Sequence, residues 1–216
     1  MGVISNGTTL LDAGALDSGV PTGKLTLIKT LTASSSSTLS FIDGAASVVL
    51  DDTYGVYIIK FINVHPQTND TQFGMQFNAA GAADFNETIT NTIFKSRQEE
   101  DASPAELALD VGGVLSQGTG LCKISHPVGN LANEALSGHV TLYNPSSTTF
   151  LKNFISVVNH SYPSATADVD ANGQTMNIFT NGYINTASAI DEVKFQFVSG
   201  NIESGTIQLF GLGASA

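Results

Sequence analysis

Cysteine is nearly absent from this 216-residue chain: Cys122 stands alone, so neither an intrachain disulfide nor a cysteine-rich zinc site can form. Cys122 reads as a small hydrophobe in a strand. Basic residues are scarce as well. Lys and Arg together number 8, with Arg97 the one Arg, against 19 Asp plus Glu and a formal net charge of −11. With an isoelectric point near 4.4, the chain brings few cations to a phosphate backbone, which excludes nucleic-acid binding as its main activity. The same sign disfavours docking on anionic lipid. Tryptophan is missing and charged residues make up 12%, about half the share usual in globular domains.

Long apolar runs are lacking too. The longest candidate, from Val56 to Val64, is interrupted by Lys60 and Asn63, far short of the ~18 residues a helical membrane span needs. Met1 to Leu16 has neither a positive n-region nor an apolar h-region, so a soluble protein made without export is expected. What the chain does contain is enough apolar material for a core, at 42% hydrophobic residues, and a polar complement carried mainly by Ser, Thr, Asn and Gly.

Residues 1–23 read as a Gly-rich arm: five Gly and Pro21 lie among Val3, Ile4, Leu10, Leu11 and Leu16. Such a segment is too costly in backbone entropy for an independent helix, and its apolar residues favour packing on its own domain or on a neighbouring subunit. Residues 24–216 read as one domain of strands. Lys24–Leu31, Thr38–Ile42, Val48–Leu50 and Tyr54–Val64 form the first series, with Asp43-Gly44 as a hairpin turn. In the longest of these, Tyr57, Ile59 and Phe61 share one face and Val56, Ile58 and Ile62 the other, so a strand covered on both sides is expected. Phe73, Met75 and Phe77 alternate with amides and Gly, the pattern of a half-buried strand.

Glu87–Phe94 is the next strand. Lys95 to Pro104 reads as an exposed loop, and Ala105–Leu109 as a short helical turn with Ser103 as N-cap, Pro104 at the first position and Glu106 at the third. Leu121–Ile124, Gly138–Tyr143, Phe150–Val158, Met176–Phe179, Val193–Val198 and Gly205–Leu212 continue the series, with Asn144-Pro145 in a turn. Strands at this spacing without a long helix predict an all-β fold, an antiparallel sandwich.

Chemistry-bearing constellations are thin. His65, His126, His139 and His160 show no ligand spacing. His65-Pro66 and His126-Pro127 read as turns, His139 as a strand start and His160 as a strand end. Asp168-Val169-Asp170-Ala171-Asn172-Gly173 matches the first half of a calcium loop, with Asp168, Asp170 and Asn172 as oxygen ligands before a Gly turn. Its twelfth position is Phe179 where a Glu is required, so calcium is a weak candidate and a strand-connecting turn explains the same residues. No nucleophile elbow, P-loop, dinucleotide fingerprint or His-Glu-x-x-His occurs. Neither catalytic residues nor a cofactor is assigned, and a non-enzymatic protein is expected.

Three stretches carry a likeness: Leu31–Gly44 with Tyr54–Val64 and His65-Pro66, then Thr141–Phe150, and Val193–Gly211 with its Ser-Gly-Asn-Ile-Glu-Ser-Gly-Thr-Ile segment. In this order the chain resembles structural proteins of tailed phages infecting marine bacteria, over nearly its whole length after Leu25. The resemblance implies a virion part with a jelly-roll-like sandwich, assembled in the host cytoplasm, homotrimeric and attached to other capsid or tail proteins; the net charge of −11 then places it on the particle exterior and not against the genome. A tail fibre or appendage subunit is the leading expectation and a capsid decoration or cement protein the alternative. A carbohydrate-binding module for a host surface glycan is the alternative of another class.

Overall fold

The computed structural model describes residues 3–5, 8–12, 15–16, 25–99, 105–162 and 173–213. Near the N-terminus, β1 (Val3–Ser5), β2 (Thr8–Asp12) and β3 (Ala15–Leu16) form a three-stranded antiparallel sheet of their own. The N-terminal segment is therefore a small meander, with Val3 and Ile4 exposed.

The remaining strands build an antiparallel sandwich. They are β4 (Leu25–Thr32), β5 (Leu39–Ile42), β6 (Val56–Pro66), β7 (Phe73–Ala79), β8 (Ile89–Glu99), β9 (Ala105–Leu109), β10 (Cys122–Lys123), β11 (Leu136–Tyr143), β12 (Lys152–Tyr162), β13 (Gln174–Ile184), β14 (Ile190–Phe197) and β15 (Ile202–Leu212). One sheet has eight strands in the order β4-β15-β6-β11-β12-β13-β8-β9, and the other four in the order β10-β7-β14-β5. The chain passes from sheet to sheet at β4, β5, β6 and β7, again at β10 and β11, and again at β14 and β15. That path is a jelly roll, with β4-β15-β6-β11 facing β10-β7-β14-β5. Two hairpins, β8–β9 and β12–β13, are inserted into it and widen only the first sheet.

Alternation with period two supplies the core. Tyr57, Ile59 and Phe61 of β6, Val140 and Leu142 of β11 and Ile207 and Leu209 of β15 point inward and are buried. They meet Phe73, Met75 and Phe77 of β7 and Val193, Phe195 and Phe197 of β14. Aromatic rings knit the layers together. Phe61 of the large sheet meets Phe195 at 5.3 Å and Phe73 at 5.4 Å edge-on, while Phe73 and Phe195 stack at 6.0 Å. Phe77 meets Phe154 at 6.0 Å, which ties the inserted β12 to the same core.

Several expectations change. Val48–Leu50 is not a strand: Asp43 Oδ1 accepts from the Leu50 N–H at 2.8 Å and Gly44 N–H donates to Val48 O, so a side-chain cap replaces a second ladder. β7 is buried on both faces, not one, because Gly74 lies against Leu121 and Cys122 and Asn78 is buried, donating to Ala82 O at 2.8 Å. The reverse holds for β6, whose second face, Val56, Ile58 and Ile62, is left partly or largely open. Lys95–Glu99 is not a loop but the second half of β8, and Ala105–Leu109 is not helical but β9. The capping signal there loses to cross-strand pairing, with Arg97 opposite Glu106 and Phe94 opposite Leu109. Val111–Gly113 then forms one 3-10 turn.

At Asn63 the alternation breaks. Asn63 has φ 49° and the β6 ladders slip on both sides, so Ile62 and Asn63 both face outward before Val64 turns in again, a β-bulge. Gly205 faces it with φ 114°, and a Cβ there would lie 2.5 Å from Asn63 O. Gly205→Ala should therefore lower stability by about 1–3 kcal/mol in urea melts; an unchanged midpoint would show that the bulge relaxes freely. Phe195→Ala, which removes the ring shared by Phe61, Phe73 and Phe41, should cost about 3–5 kcal/mol by the same measurement.

Candidate functional site

The titratable groups are dispersed. His65 is in β6, not in a turn; its Nε2 lies 3.3 Å from Glu203 Oε2 and its Nδ1 meets the carbonyl oxygen of Glu134. This imidazole ties β6 to β15 and to the chain before β11. His139 lies within β11 on the outward face, level with Lys60 of β6. His160, inside β12, is buried, and its Nδ1 donates to the Ser161 carbonyl at 2.9 Å. Burial pushes its imidazole down to about 4, and the proximity of His126 acts in the same direction. His126, in a turn as expected, is also pushed down by burial, with Asp110 opposing. The structure thus brings His126 and His160 into one neighbourhood and leaves His65 and His139 apart. Among the described residues, no three His, Cys, Asp or Glu side chains converge to hold a metal ion.

That neighbourhood includes a small cavity of about 160 Å³ lined by Lys95, Arg97, His126, Gln174 and Met176. Its Arg97 is already paired. Arg97 Nε sits 2.8 Å from Glu106 Oε2, its Nη1 lies 3.8 Å from Glu99 Oε1, and Gln174 Nε2 donates to Glu99 Oε1 at 3.1 Å. Two carboxylates balance Lys95 and Arg97, so the corner holds the β8–β9 hairpin together and has no excess positive charge for an anion. A sequence reading that treats Lys95–Pro104 as a loop misses it; only the cross-strand register puts Arg97 beside Glu106.

Cys122 lies buried in β10, where burial pushes its thiol up to about 12, so it packs as the apolar residue expected. Lys152 is fully buried at the start of β12, and its Nζ donates to the carbonyls of Phe150 and Thr186, both at 3.0 Å. Burial holds its ammonium below the usual lysine range. Asp168, Asp170 and Asn172 lie outside the described residues.

The most extended feature is the outer face of the eight-stranded sheet. Ladder register sets Ile58, Thr141, Ile155 and Asn181 in one outward row and Lys60, His139, Val157, Phe179, Phe94 and Leu109 in the next. Between β12 and β13 this face holds a shallow groove of about 520 Å³, with Ile155 and Phe179 flanked by Asn153, Asn181 and Tyr183. Beside it, Gln117 Nε2 donates to Thr90 Oγ1 at 2.7 Å and Asn185 Nδ2 to Gln117 Oε1 at 2.6 Å. The groove and its rim offer neutral donors and acceptors over an apolar floor.

His160 gives a pH dependence. Its folded value lies below its ordinary 6.5, so its contribution is complete above about 6.5 and falls as the pH drops toward 4. A depression of this size corresponds to roughly 3 kcal/mol. Melting temperature should decline between pH 6.5 and 4.5, and His160→Gln should flatten that decline; an equal slope in both proteins would remove His160 as its cause.

Set against family models, curated proteins and solved structures, the chain matches none of them.

Proposed function

We propose that this chain is a non-enzymatic structural protein of a virion, a tail fibre or appendage subunit that attaches through its N-terminal segment. The observation that carries this reading is the widened jelly-roll sheet, whose outer face is built from apolar, hydroxyl and amide side chains in a chain of net charge −11. Thr, Asn, Val and Phe lose less conformational freedom on packing than Lys or Glu do, so such a face suits permanent subunit contact. The family resemblance supplies the setting, assembly in the host cytoplasm and a homotrimer joined to other virion proteins, and the net charge supports a place on the particle exterior. A capsid decoration protein would use the same surface. The Asn153–Tyr183 groove favours a second reading, a module that holds a neutral host glycan; glycan-array binding lost on changing Asn181 would support it.

Locating the chain in a reconstructed particle tests the first reading. Density on the tail is expected, and density at capsid three-fold positions would replace the tail assignment with decoration. Deleting residues 1–23 should abolish incorporation while leaving a folded, soluble domain. A truncated protein that still enters the particle would overturn attachment through this segment.

A further inference from the structure

The two inserted hairpins do more than widen a sheet. Their outward positions hold a continuous apolar patch: Leu107 (76% exposed) and Leu109 (57%) on β9, Phe94 (42%) on β8, Phe179 (42%) on β13, and Ile155 (47%) with Val157 on β12. Leu109, Phe94, Phe179 and Val157 are direct ladder neighbours, so four adjacent strands present one unbroken apolar row. Inward positions of the same strands, such as Ile93, Ile178 and Phe154, are buried. The outward residues therefore remain uncovered in the single chain, although each lies next to a residue that is not.

Charge says what fits there. The Ile58 row, the Lys60 row and the next one, through Ile62, Asn159, Asn177, Ser96 and Leu107, contain Lys60 and His139 as their titratable groups, and no Asp or Glu among the described residues. A chain of net charge −11 repels its own copies over most of its surface. This face is where two copies approach without stacking acid on acid. Around the patch stand Thr92, Asn159, Asn177 and Asn181. Amides and hydroxyls both donate and accept, so a face made of them can pair with the same chemistry on an identical subunit.

Size agrees. The large sheet has eight strands; at about 4.8 Å each they cover about 38 Å, and three outward rows at about 6.8 Å each cover about 20 Å. The product, about 770 Å², is close to the ~800 Å² per partner of a standard stable interface.

From these observations we infer that the outer face of the eight-stranded sheet, centred on Leu109, Phe94, Phe179 and Ile155, is the surface on which a second copy of this chain packs. The inference rests on the structural-protein reading for its setting and on the sheet geometry for its substance. Sedimentation of the full chain between about 1 and 100 µM tests it. The wild type should associate, more tightly as salt rises and screens the acidic remainder. Phe179→Asp and Leu107→Asp should each weaken association at least about 30-fold. Leu107 lies at an exposed edge, so its variant keeps the native melting curve even if Phe179→Asp does not. Val198→Asp, at an exposed turn outside this face, should leave association unchanged.

A wild type monomeric at 100 µM, or variants that associate as the wild type does, overturns the inference. So does a monomer whose groove binds a neutral oligosaccharide and loses it on Phe179→Asp, which would assign the face to a glycan. A non-associating protein still found in the particle removes this face and spares the structural reading; an associating protein absent from the particle does the opposite.

Discussion

Everything in the sandwich hangs on a layer of phenylalanine rings held between two sheets. Phe61 is the contribution of the large sheet; Phe41, Phe73, Phe195 and Phe197 come from the small one, and edge-on contacts at 5.3 and 5.4 Å lock their relative positions. Rings this large bury more apolar area per residue than any aliphatic side chain. In a chain without disulfides, that burial has to oppose the conformational entropy of twelve sandwich strands. The layer also fixes which face of each strand is inward, because a one-residue slip would carry the ring to solvent.

The small sheet limits what the layer can cover. Four strands back eight. Beyond β11, the inserted strands find partial cover through Phe77 against Phe154, through the Ile93, Met176 and Ile178 cluster, and through the charged corner of Arg97 and Glu106. The widening thus costs extra polar structure on the inner side and leaves an apolar face on the outer side. Both consequences come from inserting hairpins into one sheet only.

Much of this architecture is legible in the residues. Tyr57-Ile59-Phe61, Phe73-Met75-Phe77 and Ile207-Leu209 announce strands because side chains on a strand alternate with period two. The β8–β9 hairpin is not legible: Ser103-Pro104-Glu106 carries every local mark of a helix start, and the pairing of Arg97 with Glu106 that overrules it is set by tertiary contact. Sheet membership is hidden for the same reason, since nothing in Ile89–Glu99 says that its neighbour is Gln174–Ile184. The candidate face was half visible. Apolar residues on both sides of β6 were evident, but a second covering layer and an open outer surface produce the same sequence pattern. The three hydrogen-bonded strands of the N-terminal segment were hidden by its glycines, which read as irregular chain.

The place of β15, inside the large sheet between β4 and β6, has a kinetic meaning. The last strand of the sandwich lies between β4 and β6, with Leu212 opposite Leu25 on one side and Val56 on the other. Until β15 exists, two strands of the large sheet keep open edges and Phe61 lacks the neighbours Ile207 and Leu209 bring beside it. Such long-range closure makes folding slow, and a chain emerging from the ribosome completes this core only after β15 is free. Loss of β15 would cut β4 away from the rest of the large sheet and expose two sticky edges instead of trimming one.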